Sequence, residues 1–136
     1  MRTARFSLAA MLIAISGLLV SCSSTGIAES RESGVPEGLH LSEPTEGPIV
    51  VAYDDGRVDV VTQGSSSCPP TATAIEIEGD ELLVSFELSK NEVCTADISP
   101  TTHTFSADSV GGDVPSKARV IFPEVDEEIE VDVLRE

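Results

Sequence analysis

The chain has 136 residues, eight basic against 24 acidic, a formal charge of −16 and an aromatic content of 4% with no Trp. That length limits the folded part to one small domain, with a core built on Val, Ile and Leu. The charge repels nucleic-acid phosphates, which excludes nucleic-acid binding, and favours basic partners or divalent cations over acidic ones.

Arg2 and Arg5 precede an apolar run from Phe6 to Val20, and Leu19-Val20-Ser21-Cys22 closes it. As a helix, that run would measure about 22 Å, short of the ~30 Å hydrocarbon core of a bilayer. A basic start, a short apolar stretch and small residues at a cut site form the layout of a secretory signal. With Cys22 directly after them, the four residues match a lipobox, and residues 1–22 resemble a bacterial lipoprotein precursor. The resemblance implies cleavage before Cys22, diacylglycerol on its sulfur, palmitate as a further acyl group, and a mature protein anchored to the cell membrane outside the cytoplasm. Removal of residues 1–21 takes Arg2 and Arg5 away and leaves six basic against 24 acidic residues, a formal −18.

Residues 22–47 are poor in large apolar side chains and rich in Ser, Glu, Gly and Pro. This composition predicts a flexible tether with a root-mean-square reach of about 25–30 Å. A β-rich domain is expected over 48–136. Ile49–Tyr53 and Arg57–Thr62, joined by Asp54-Asp55-Gly56, read as a hairpin. Asp54, Asp55 and Asp59 lack the spacing of a calcium loop, so turn chemistry accounts for Asp-Asp-Gly.

Gln63–Pro70 is a loop, since Pro69-Pro70 suits neither a helix nor a central strand. Thr73–Glu78 and Glu81–Leu88 alternate apolar with polar on either side of Gly79-Asp80, the strongest period-two pattern in the chain. Weaker alternation follows over Thr101–Ser106, then Ala118–Phe122 and Glu128–Val133. No stretch after residue 22 keeps a 3.6-residue period. The expected fold is all-β, a small antiparallel β-sandwich or open barrel of six to seven strands.

Once Cys22 carries lipid, Cys68 and Cys94 are the only pair left, and export favours a disulfide between them. The Ser-rich loop before Cys68 and Cys94-Thr95-Ala96-Asp97 together resemble a pattern in small exported proteins of high-GC Gram-positive bacteria, which supports the bridge and the address and implies no activity. The bridge would set two loops side by side, with Ser65, Ser66, Ser67, Thr95 and Thr101 along a binding edge.

No phosphate loop, His-Glu-x-x-His run or Gly-x-Ser-x-Gly elbow occurs, and no catalytic residue, metal site or cofactor is expected. Ser66, His103 and Asp97 form a triad only on paper. Ser99-Pro100-Thr101-Thr102 resembles the Asn-Pro-Thr-Thr-Gly loop of chagasin-like inhibitors of cysteine proteases, but Ser99 and His103 replace its Asn and Gly. The expected function is a lipid-anchored module with a non-catalytic binding or cell-envelope role; the alternative is a small secreted enzyme inhibitor or enzyme.

Overall fold

The computed structural model describes residues 25–40 and 47–136. The expected signal peptide and Cys22 lie outside the described residues. Eight strands follow in chain order: β1 (Ser30–Ser33), β2 (Ile49–Ala52), β3 (Val58–Gly64), β4 (Thr71–Glu78), β5 (Glu81–Glu87), β6 (Ser99–Phe105), β7 (Lys117–Phe122) and β8 (Glu127–Arg135). A four-residue helix, α1 (Ala107–Val110), and a 3-10 turn at Pro123–Val125 interrupt them. Among the described residues no helix is long and apolar enough to cross a membrane.

The strands form one sheet in the order β1-β6-β3-β2-β8-β7-β5-β4, curled into a half-barrel. The all-β architecture and the open-barrel form agree with the period-two reading. Two details differ from it. There are eight strands where six to seven were expected, and the sheet is mixed: β2 runs parallel to β8 and β5 parallel to β7. Direction depends on which distant strands become neighbours, and side-chain alternation carries no record of that.

Both expected hairpins form. β2 and β3 pair through the Asp54–Gly56 turn, where Asp55 Oδ1 accepts the Arg57 N–H at 3.0 Å. β4 and β5 pair through Gly79-Asp80, with a bulge between Ala72 and Ala74. The bulge leaves Thr73 exposed and puts Ala72 in the core instead. Leu82, Val84 and Phe86 of β5 are fully buried, as the alternation requires. They meet Val58, Val60, Phe105, Val120 and Val133 from other strands. Burying each large side chain is worth about 1.5–3 kcal/mol.

The largest departure is at the N-terminal end. Ser30–Ser33, inside the stretch expected to be a free tether, pairs antiparallel with β6. Just before it the chain crosses the open side of the half-barrel. Gly26 bridges Ala72 of the far edge strand β4, and the Ile27 N–H donates to the Ala72 carbonyl at 3.0 Å. Ala28 then fills the core beside them. Residues 34–39 fold back over the outer face of β2 and β3. There Leu39 packs with Ile49, Val51, Val61 and Tyr53 in a second apolar cluster. This cover explains why β2 and most of β3 are buried on both faces.

Candidate functional site

Cys68 and Cys94 are joined, with their Cα atoms 5.6 Å apart. The bridge brings Gly64–Pro70 beside the 88–98 loop, as the cysteine count predicts. Ser65 Oγ lies 2.8 Å from Thr95 Oγ1, and Ser67 Oγ accepts the Thr95 N–H at 2.9 Å. Asp97 accepts from the Ser66 N–H, from Ser99 Oγ and, in a very short contact, from Thr95 Oγ1. The Ser66 and Thr95 hydroxyls, with the Ser66 N–H, hold the Asp97 carboxyl well below the usual carboxylate range. So placed, these hydroxyls bond chiefly to one another and brace the two loops.

Thr101 is not part of this group. It sits in β6 opposite Thr62 and is buried, in the same inward alternation as His103 and Phe105. The whole Ser99–Thr102 stretch is strand, hydrogen-bonded to β3, so it forms no projecting loop of the inhibitor kind. His103 is fully buried, with its ring edge-on to Phe86 at 4.7 Å and Nε2 3.0 Å from Thr62 Oγ1. Ser66 and Asp97 lie at the exposed disulfide loops, so the paper triad is not assembled. Burial first, and the Arg31 charge second, push the His103 imidazole down to about 4.

A different constellation occupies the outer face of the sheet. Asp59 projects outward from β3, in register with Thr104 of β6. Its neighbours Val58 and Val60 point into the core. Asp59 is only 3% exposed. Tyr53 donates its hydroxyl to Asp59 Oδ2 at 2.9 Å, while Oδ1 has no partner among the described residues. The Arg57 guanidinium stacks on the Tyr53 ring, 3.9 Å from its centroid. Burial, then the bond to Asp59, push the Tyr53 phenol up to about 12, so it stays a donor.

These residues border a groove of about 520 Å³. Asp59, Thr102 and Thr104 line its sheet side, Ser30 and Glu32 of β1 form one wall, and Tyr53 with Arg57 forms the other. Val35, Pro36 and Glu37 close an end. Thr102 Oγ1 donates to the Gly34 carbonyl at 2.7 Å, and the Gly34 N–H donates to the Pro100 carbonyl at 2.9 Å, which ties this segment to β6.

Sequence reasoning placed Asp59 in the Arg57–Thr62 strand and weighed it only as a calcium-loop residue. The signal it passed over is an Asp between Val58 and Val60 in a β-branched run, a polar residue where the sheet is covered on both faces. The acidic turns offer no comparable arrangement: Asp55 is spent on the Arg57 N–H, and Arg119 spans Glu81 and Glu128. Among the described residues no three or more His, Cys, Asp or Glu side chains gather as a metal site would require. No family model matches the chain, and no curated protein or solved structure matches it either.

Proposed function

We propose that this chain is a lipid-anchored module outside the cytoplasm with a non-catalytic binding role, attached through Cys22 and binding through the groove over Asp59. The observation that carries the binding role is the Asp59 carboxylate, buried beneath a groove with one oxygen unpartnered among the described residues. Leaving such a group unsatisfied costs about 1–3 kcal/mol or more, a cost that a ligand supplying the missing donor removes. A sheet whose connecting loops are tied by a disulfide suits this role, because little order has to be gained on binding. The lipobox at Leu19–Cys22 supports the anchor.

The fold also bears on how the anchor would act. Gly26 is held at the barrel seam only four residues after Cys22. Four residues span at most ~14 Å. On this reading the lipid holds the barrel close to the bilayer, and residues 26–40 serve as part of the domain. Detergent phase partitioning tests the anchor. The exported wild type should enter the detergent phase with acyl mass on Cys22, and a Cys22→Ala chain should not. Wild-type protein carrying no acyl mass there refutes it.

A further inference from the structure

We infer that the groove over Asp59 is a recognition site for a primary ammonium group on a flexible chain, as carried by a lysine side chain or a free alkylamine. The inference deepens the binding role proposed above and is independent of the lipid anchor.

The chemistry of the groove selects the ligand. At its base the Asp59 carboxylate is half-paired: Oδ2 accepts from Tyr53, while Oδ1 is buried without a partner among the described residues. Thr104 stands beside Asp59 in register, and Ser30 stands beside Thr104 on the adjoining strand. An ammonium group brings three donors and no acceptor, so it matches a carboxylate and two hydroxyls in a row. Anions are disfavoured by Asp59, Glu32 and Glu37 together. A hard divalent cation requires six or more oxygens at short range, or several retained waters. Among the described residues no three or more His, Cys, Asp or Glu side chains gather to supply them. An alkylammonium fits better, since its compact head needs few partners and its apolar stem matches Val35 and Pro36 in the groove lining.

Arg57 sets the threshold. Stacked on Tyr53 at the rim, it is a fixed positive charge beside the path of the incoming cation. It therefore weakens ammonium binding, and its removal should strengthen it. Simple attraction to an acidic protein would respond to any charge on the surface; this arrangement makes Asp59 and Arg57 act with opposite signs at one place.

The test uses residues 22–136 with Cys22→Ser, which keeps every described residue in soluble form. Amide resonances are followed during titration with n-butylammonium chloride and, in a second arm, with a lysine peptide blocked at both ends; n-butanol is the control. Both ammonium probes should shift Asp59, Thr104 and Ser30 in a saturable way, and butanol should not. Asp59→Asn keeps an acceptor for Tyr53 and should weaken binding by about tenfold or more, the loss expected for a charge-assisted bond. Arg57→Gln should tighten it. If the peptide binds much more tightly than the amine, the source is a protein lysine; if the two are equal, it is a free amine. Saturable shifts that Asp59→Asn leaves unchanged, shifts spread over the Glu128–Asp132 face, or no shifts at all would overturn the assignment.

Discussion

Gly26 is the position at which one methyl group should open the barrel. A Cβ built there would lie 1.9 Å from the Ala72 carbonyl oxygen and 2.7 Å from Thr71 Cγ2. The first obstacle is backbone, and it is the acceptor of the Ile27 N–H, so relief requires the seam to part. Gly26 also has φ +68°, a conformation that costs an L-residue about 1–2 kcal/mol. Parting the seam adds about 1 kcal/mol for the Ile27 hydrogen bond and a similar amount for Ala28, which loses its place in the core. Gly26→Ala should therefore cost about 3–4 kcal/mol, a large share of the ~5–15 kcal/mol typical of a domain. Gly79 supplies the control, because it has φ +62° with nothing within 4 Å of an added Cβ. Gly79→Ala should lose only the conformational part. Urea unfolding of the soluble chain measures both, read as midpoint shifts at constant slope. Faster amide exchange at Ile27 should accompany the Gly26 change. If the two variants lose the same stability, the bridge to Ala72 does not close the barrel.

Two further outcomes follow from the interior and the loops. The Cys68–Cys94 bridge closes a ring with a sequence separation of 26, so its reduction should lower stability by about 3–4 kcal/mol in urea titrations; two free thiols in the native exported protein would contradict the bridge. His103, neutral in the core, has a folded pKa of about 4, below its ordinary 6.5. Between those values the unfolded chain binds more protons than the folded one. Stability is thus complete above about pH 6.5 and falls as the pH drops toward 4, by up to about 3 kcal/mol. His103→Gln should flatten that window in pH-dependent unfolding, whereas an unchanged slope would place the proton uptake elsewhere.

The β4–β5 hairpin was legible because its side chains state its structure twice, once in the alternation of Leu82, Val84 and Phe86 and once in the Gly79-Asp80 turn. The disulfide was legible because only two cysteines remained to pair. Thr101 reads in the sequence both as the last residue of a loop and as the first of a weak strand, and Pro100 before it sits opposite Gln63, already inside the strand. A proline at a strand's beginning is allowed, and sequence gives no sign of which strand will lie alongside.

β1 was not legible for a different reason. Its burial pattern is half-exposed to exposed, so no apolar face marks Ser30–Ser33 as a strand. Backbone pairing to β6 holds it, helped by the Glu29 N–H on the Thr104 carbonyl and the Gly34 N–H on the Pro100 carbonyl. Backbone groups are the same in every residue, so composition alone suggested a tether. The consequence reaches the site. Asp59 is buried because Tyr53 bonds it and because residues 30–37 wall the groove around it. The same segment begins at the Gly26 seam that closes the barrel. One polar stretch thus closes the fold and shapes the groove, and loosening it at Gly26 should weaken ammonium binding along with stability.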